Sequence, residues 1–225
     1  MKDGPDIVKI AALVGDHARA EVLTALMGGR ALTATELAAT ANVTKQTISS
    51  HLAKLVDAGL LSVESQGRHR YFRLTDDDVA HLLESLMGVA SRAGSVRLRS
   101  SPREPAMRRA RVCYDHLAGE LGVFVYDRLL VRQAFALGAD GLELTGAGTQ
   151  LFDALGIDAA ELRTQRRVFC RTCLDWSERR HHLAGALGAS LLARMLELGW
   201  AARDNKSRVV RFSAAGESAL RSYLG

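Results

Sequence analysis

Apolar side chains recur with helical spacing at the start of the chain. Between Ile7 and Met27 they return every three or four residues, and a glycine pair follows. This spacing predicts one amphipathic helix that ends at the glycines. A second helix is predicted in the stretch LTATELAAT, where Thr33 or Thr35 can act as the N-cap.

The first turns of the next predicted helix carry mainly small polar side chains. Thr44 can cap the stretch KQTISSHLAKLVDA, and the short turn ANV joins it to the preceding helix, which predicts a helix-turn-helix. Ile48, Leu52 and Leu55 fall on one face, and the opposite face is polar. Such a thin polar face fits a DNA major groove about 12 Å wide; the alternative is an ordinary solvated face. The candidate DNA-contacting residues on this helix are Lys45, Gln46, Thr47, Ser49, Ser50 and Lys54.

A basic hairpin is predicted directly after this helix. Apolar positions alternate on both sides of a turn at Gly67, and the tip carries Arg68, His69 and Arg70. A basic hairpin that follows a helix-turn-helix is a wing, placed to contact the phosphate backbone. Residues 1–91 are therefore predicted to form a winged helix-turn-helix domain that binds double-stranded DNA.

The stretch ATELAATANVTKQTISSHLAKLVDAGLLSVESQGRHRYFRLT resembles the arsenic-repressor (ArsR/SmtB) family of winged-helix transcription regulators. The resemblance implies a homodimer that pairs through the first helix and the helix after the wing, at about residues 75–90. It also implies base or backbone contacts from the recognition helix at Lys45, Gln46, Ser49 and Ser50. A ligand would release repression.

The metal sites of that family are incomplete in this sequence. Sensors of soft metals carry a cysteine pair on the helix before the recognition helix, but that place has TATELAA and no thiol. Sensors of zinc-like metals carry Asp/His pairs on the dimer helix; His81 and Glu84 are present, without a second histidine pair. Neither of these metal sites is therefore predicted in this chain, and His81 is expected to be a surface or interface histidine.

The second half of the chain contains an internal repeat. RVCYDHLAGELG, which starts at Arg111, returns as RTCLDWSERRHHLAGALG, which starts at Arg171, with six extra residues. A later pair, LELTGAGTQLF and VRFSAAGESAL, predicts a short strand followed by a capped helix in each copy. The fold class is predicted to be mainly α with short β wings, with residues 112–225 forming a duplicated helical, winged-helix-like domain. Neither copy contains a polar recognition helix.

The repeated motif Leu-Ala-Gly-x-Leu-Gly has two interpretations that can both hold. Its small residues suit a packing seam between helices, and the junction of the copies can also form an effector pocket. Polar residues of the two copies would line that pocket. The candidates are Cys113, Asp115, His116, Cys170, Cys173, Asp175, Trp176, His181 and His182.

The three cysteines leave several roles open. Cys170 and Cys173 form a C-x-x-C, and Cys113 stands at the repeat position of Cys173. Three thiols near histidines suit a soft metal or metalloid, or a redox pair; buried structural cysteine is the alternative. The insertion DWSERRHH suits an anionic or aromatic ligand, or surface ion pairs between Arg179, Arg180 and neighbouring acids. No cofactor is required by the sequence.

Charge is concentrated between these two regions. Residues 92–111 contain seven arginines and one glutamate, whereas the flanking regions are close to neutral. With two of the three prolines, this segment is predicted to be a linker, either solvated or bound to phosphates. The overall composition is 48% hydrophobic and 5% aromatic, which is typical of packed helices.

Other sequence features indicate the compartment and the class of protein. No apolar run approaches the roughly 20 residues of a membrane helix, and MKDGPDIVKI has no pattern of an export signal. Three cysteines without framework spacing favour a reducing, cytoplasmic location. The sequence predicts a dimeric, ligand-responsive repressor that is not an enzyme. The competing hypotheses are a thiol- or metal-dependent enzyme domain fused to the DNA-binding head, and an architectural DNA binder without an effector.

Overall fold

The computed structural model describes residues 4–67, 69–93, 103–138, 141–205 and 207–225. The chain divides into two compact units, and the division falls between Leu83 and Glu84. In these described ranges, no helix combines the length and apolar character needed to cross a membrane.

The first unit begins with two helices where one was predicted. They are α1 (Ile7–Val14) and α2 (His17–Leu26). The apolar spacing continues across the break, but Asp16 takes an extended backbone conformation and its carboxylate accepts a hydrogen bond from the Arg19 backbone N–H at 2.9 Å. Because an N-cap residue starts a new helix, the prediction of a continuous helix over residues 7–27 was wrong at this point.

The helix-turn-helix follows with both expected caps. Strand β1 (Leu32–Thr33) leads into α3 (Ala34–Ala41), and α4 (Lys45–Asp57) is the second helix of the motif. Thr33 forms a capping box with Glu36, and Thr44 caps α4 by accepting from the Thr47 N–H at 3.2 Å. Asn42 ends α3 in the left-handed conformation, which tightens the connecting turn.

A three-stranded antiparallel sheet completes the DNA-binding fold. Strands β2 (Leu61–Gln66) and β3 (His69–Leu74) form the predicted hairpin, and β1 pairs with the other side of β3. Helix α5 (Asp77–Arg92) comes next. Side chains from α2, α3, α4 and the sheet form a common buried core, which includes Val22, Leu23, Leu26, Leu37, Ile48, Leu52, Leu55, Phe72 and Leu74.

Each repeat copy in the second unit has the order hairpin, helix, hairpin, helix. The first copy contains β4 (Arg111–Cys113), β5 (His116–Ala118), α7 (Glu120–Val131), β6 (Phe135–Gly138), β7 (Gly141–Leu144) and α8 (Gly146–Ala154), and it follows α6 (Arg103–Arg109). After α9 (Ala159–Arg163), the second copy contains β8 (Arg171–Leu174), β9 (His181–Ala184), α10 (Gly185–Glu197), β10 (Ala201–Arg203), β11 (Val210–Phe212) and α11 (Ala214–Leu224). The duplication predicted from the sequence is thus visible in the order of elements.

The start of each copy differs from the prediction. The sequence predicted helices closed by a strand and a helix, but the repeated His-Leu-Ala residues form strands β5 and β9. The six-residue insertion lies in the β8–β9 loop, so both hairpins keep the same register. Cys113 pairs with His116, and Cys173 pairs with His182.

The glycines that follow these strands pack closely against the strand of their own copy and against a histidine of the other copy. A Cβ atom on Gly122 would lie 2.6 Å from the Leu117 carbonyl oxygen, and one on Gly188 would lie 2.6 Å from that of Leu183. Each added Cβ would also contact a histidine of the other copy. The distance is 3.6 Å from Gly122 to the Cβ of His182, and 3.3 Å from Gly188 to the Cβ of His116. The small residues therefore allow a close seam, although this seam joins helix to strand.

Part of the segment predicted as linker is folded into the second unit. Arg92 ends α5, Arg103–Arg109 form helix α6, and Arg111, whose side chain is fully buried, begins β4. Arg97 and Arg99 lie outside the described residues.

Candidate nucleic-acid interface and buried cysteine–histidine cluster

Helix α4 presents a polar face to solvent. Ile48, Leu52 and Leu55 are buried, whereas the six predicted DNA-contacting residues of this helix are all exposed. Gln46 and Ser50 occupy the side opposite the buried stripe, one turn apart. The helix therefore has the division into apolar and polar faces that the sequence predicted.

Two hydroxyls of this face already hold partners within the helix. Thr47 Oγ1 lies 2.9 Å from Thr44 Oγ1, and the Ser49 hydroxyl donates to the Lys45 carbonyl oxygen at 2.8 Å. A residue that bonds to its own helix orders the first turn but has less capacity for an outside partner. Gln46 and Ser50 are consequently the stronger candidates for contacts to base edges.

Arg19 anchors α4 to the preceding helices. Its guanidinium donates to the Ala12 and Leu13 carbonyl oxygens at the end of α1, at 2.8 and 2.7 Å. It also lies 3.3 Å from Nδ1 of His51, which sits in the middle of α4. These contacts connect α2 to α1 and to α4. The apolar periodicity gave no signal for this role of Arg19.

The wing places a cation beside an aromatic ring. Arg70 is exposed at the end of the hairpin, and its guanidinium lies 5.4 Å from the centre of the Phe72 ring. His69 is exposed as well, whereas Arg68, the third residue predicted at this tip, lies outside the described residues. Nearer the base of the hairpin, Arg73 is paired with Glu64 at 2.9 Å.

In the second unit, the two repeat copies bring four potential metal ligands together. Cys113, His116, Cys173 and His182 each offer one ligand atom, and these atoms all lie within 4.8 Å of one another. All four residues are at most 4% exposed. The Nε2 atoms of the two histidines are 3.1 Å apart. Each copy contributes one cysteine and one histidine, which lie directly opposite each other on its two paired strands.

An aspartate stands behind each histidine on the side away from this cluster. Asp115 Oδ1 lies 3.1 Å from Nδ1 of His116, and Asp175 Oδ2 lies 3.7 Å from Nδ1 of His182. The aspartates occupy equivalent positions, two residues after the cysteine of their copy. Both imidazoles therefore direct Nε2 toward the cysteines.

An arginine binds each of these aspartates. Arg167 donates to Asp115 Oδ2 at 2.7 Å, and Arg111 donates to Asp175 Oδ1 at 2.7 Å. Burial would raise the pKa of Asp175, but Arg111 and the Gly119 backbone N–H hold it well below its ordinary value.

The cluster itself is electrostatically unusual. Hydrogen bonding to Cys173 and burial raise the pKa of Cys113 well above its ordinary value. Burial lowers the pKa of His116, but hydrogen bonds with Asp115 and Cys173 outweigh it and raise that pKa to about 9. Because the buried imidazole, thiols and carboxylate interact closely, their protonation states depend on one another. A metal ion bound by these ligands would displace protons from them.

The remaining effector candidates lie outside this cluster. Cys170 is buried, but its thiol donates to the Leu142 carbonyl oxygen at 3.1 Å, so the C-x-x-C pair does not form one site. Trp176 is half-buried with the Arg111 guanidinium 4.7 Å from its ring centre, and His181 is exposed. In the insertion, Arg180 forms an ion pair with Asp127.

Comparisons with known proteins agree with the geometry of the first unit and extend to the second. The profile of the helix-turn-helix domain family matches residues 14–64. A protein described as the uncharacterized HTH-type transcriptional regulator YdfF of Bacillus subtilis (strain 168) is 46% identical over 221 residues, which cover 98% of this chain and 97% of that protein. The chain belongs to the family of HTH-type transcriptional regulators.

Solved structures similar to this regulator cover less of the chain. A homodimeric winged helix-turn-helix DNA-binding domain from Mycobacterium bovis is 19% identical and covers 45% of this chain and 100% of its own, with a TM-score of 0.37. Reduced HlyU from Vibrio cholerae is 22% identical and covers 37% of this chain and 86% of its own, with a TM-score of 0.34.

Two arginines that bind the aspartates, the buried Arg111 and the partly buried Arg167, were not among the predicted site residues. Arg111 was assigned to the linker because of the local arginine density, and Arg167 was not singled out. The repeat did contain a signal for Arg111, because the motif Arg-x-Cys-x-Asp occurs in both copies. For Arg167 we find no signal in the sequence, since its partner Asp115 is 52 residues away.

Proposed function

We propose that this transcriptional regulator is a dimeric, ligand-responsive repressor that inserts α4 into the DNA major groove. The observation that carries the proposal is the exposed polar face of α4 opposite its buried apolar stripe. The Gln46 amide and the Ser50 hydroxyl would contact base edges. Lys45 and Lys54 would lie close to phosphates, and Thr47 and Ser49 would order the leading turns of the helix.

The wing would contact the sugar–phosphate backbone beside the groove. Arg70 and His69 are exposed at the described end of the hairpin, and Arg68 is proposed for the same role from its place in the sequence. These contacts would contribute affinity without sequence preference, because phosphates are the same at every base pair.

Exposed apolar side chains support a dimer. Helix α1 has the sequence IVKIAALV but no buried residue, and Ile7 and Val8 are 76% and 73% exposed. In α5, Leu86 and Val89 are also exposed. Burying such side chains against a second copy would remove apolar surface from water. The M. bovis domain described above is homodimeric, and we propose the same state for this regulator.

The second unit would be the regulatory domain. It holds both repeat copies and the buried cysteine–histidine cluster, and the sequence predicts no recognition helix in either copy. An effector bound there would bias the DNA affinity of the first unit through a change of state. We propose repression because an occupied operator blocks access to a promoter.

The test begins with selection of a cognate duplex from a random DNA library by the full chain. Fluorescence anisotropy at fixed salt then compares this duplex with a scrambled one. Gln46→Ala and Ser50→Ala should each lose about 1–3 kcal/mol of binding free energy on the cognate duplex and little on the scrambled one. Equal losses on both duplexes would rule out base recognition by α4.

The wing has a matched control within its own strand. Arg70→Ala should weaken binding to both duplexes and reduce the slope of log K against log salt by about 0.9. Arg73→Ala should have a smaller effect, because Arg73 is paired with Glu64. If Arg73→Ala had the larger effect on the salt slope, the wing would not contact DNA at its tip.

A further inference from the structure

The four-residue cluster between the repeat copies has the composition of a closed metal site. Two cysteine sulfurs and two imidazole nitrogens converge within 4.8 Å, and all four residues are buried. Two thiolates with two imidazoles are the donors that borderline-soft ions with tetrahedral preference select, and Zn²⁺ is the common example. Calcium and magnesium would require oxygen donors instead.

The observed separation suits such an ion. Ligands at zinc–nitrogen distances of about 2.0–2.1 Å in a tetrahedron lie roughly 3.3 Å apart. The Nε2 atoms of His116 and His182 are 3.1 Å apart. An ion at this point would also replace a contact between two buried nitrogen atoms, at least one of which must otherwise carry a proton.

The surroundings complete the arrangement expected around a metal. Histidine ligands are usually oriented by a carboxylate on the ring nitrogen that does not bind the ion. Asp115 is 3.1 Å from Nδ1 of His116, and Asp175 is 3.7 Å from Nδ1 of His182. Nδ1 of His182 has no hydrogen-bond partner among the described residues, and a metal on Nε2 would fix its proton toward Asp175.

We propose that Cys113, His116, Cys173 and His182 form a tetrahedral site for one Zn²⁺-type ion per chain, which fastens the two repeat copies together. Each copy supplies one cysteine and one histidine, so the ion would link the two copies. Loss of the ion would remove this link. Four protein ligands with no open position are typical of a structural site rather than a catalytic one. The site does not depend on the proposed DNA contacts.

Metal binding is tested first on the full wild-type chain, reduced and freed of metal by chelation. Titration with Co²⁺ alone should give one equivalent per chain, with intense tetrahedral d–d absorption and thiolate-to-metal charge transfer, and Zn²⁺ should abolish both bands. X-ray absorption of the Zn²⁺ form should give two sulfurs at about 2.3 Å and two nitrogens at about 2.0–2.1 Å. A shell of oxygen and nitrogen only would overturn the proposal without any variant.

Variants then identify the ligands. Cys173→Ser and His182→Gln should weaken Zn²⁺ affinity by more than the roughly 10–100-fold that loss of an outer hydrogen-bond partner costs, and Asp115→Asn should fall within that range. The matched controls are Cys170→Ser, a buried thiol three residues away, and His181→Gln, the exposed neighbour of His182. Both should bind Zn²⁺ as the wild type does.

Two results would refute this assignment. One is an equal loss of affinity in Cys170→Ser and Cys173→Ser. The other is a Cys113–Cys173 disulfide in the resting protein together with failure of the reduced chain to bind Zn²⁺ or Co²⁺, which would make the pair a redox couple. Loss of DNA recognition in Gln46→Ala has no bearing on either result.

Discussion

Arg111 offers a direct test of how the two repeat copies are held together. Its guanidinium donates to Asp175 at 2.7 Å, to Ser177 at 3.1 Å and to the Met107 carbonyl oxygen at 3.2 Å, and both members of the ion pair are fully buried. Substitution of Arg111 by Met removes these donors and leaves the Asp175 carboxylate buried without its cation.

The magnitude follows from that geometry. Breaking a buried ion pair by removing one partner costs about 3–5 kcal/mol. Nε of Arg111 has no acceptor among the described residues, so the guanidinium is not fully bonded and we expect a value near the lower end, about 3 kcal/mol. With a urea m-value of about 2 kcal/mol/M, the unfolding midpoint should fall by roughly 1.5 M.

Urea unfolding followed by tryptophan fluorescence reports the loss of stability of the second compact unit. Both tryptophans, Trp176 and Trp200, lie in the second unit. The matched control is Arg109→Met, because Arg109 pairs with Glu120 at 3.0 Å but is 45% exposed. Exposed pairs contribute about 0–1 kcal/mol. The reasoning fails if the Arg109 variant is destabilised as much as the Arg111 variant.

Two further predictions concern Gly188 and the start of α2. Gly188→Ala should destabilise the second unit by about 1–3 kcal/mol, because its Cβ would lie 2.6 Å from a carbonyl oxygen, whereas Gly146→Ala meets nothing within 4 Å and should be neutral or slightly stabilising in the same urea experiment. Asp16→Ala should cost the first unit about 1 kcal/mol by removing the α2 N-cap, and Asp16→Asn should retain most of it, as measured by thermal unfolding of the full chain. The backbone N–H of Arg19 lowers the pKa of Asp16, so this contribution is complete above the unfolded pKa of about 3.9 and is lost as the pH falls through the lower folded value; the Asn variant should lack this loss.

Local patterns made the first unit predictable. The turn between α3 and α4, the Thr44 cap and the alternation around Gly67 act over a few residues, so each is readable in a short window of sequence. The break at Asp16 was missed because the apolar spacing continues through it. A cap can begin a new helix without changing which residues face the core.

Distance along the chain explains what was missed in the second unit. The C-x-x-C made Cys170 a candidate partner of Cys173. However, residues three apart along an extended segment point to opposite sides. The partner of Cys173 in the cluster is Cys113, sixty residues earlier, and alignment of the repeats did place the two at equivalent positions. The sequence thus named all four members of the cluster but could not separate them from Cys170, His181 and Trp176. Their separation depends on strand register and burial.

The equal contribution of the two copies has a consequence for the origin of the fold. One hairpin carries a cysteine and a histidine as a directly opposed pair, which is half of the four donors proposed above. A chain with a single copy could complete that set only by meeting an identical chain around a twofold axis. The duplicated unit therefore has the form of a twofold pairing joined into one polypeptide, in which the longer β8–β9 loop makes the halves unequal.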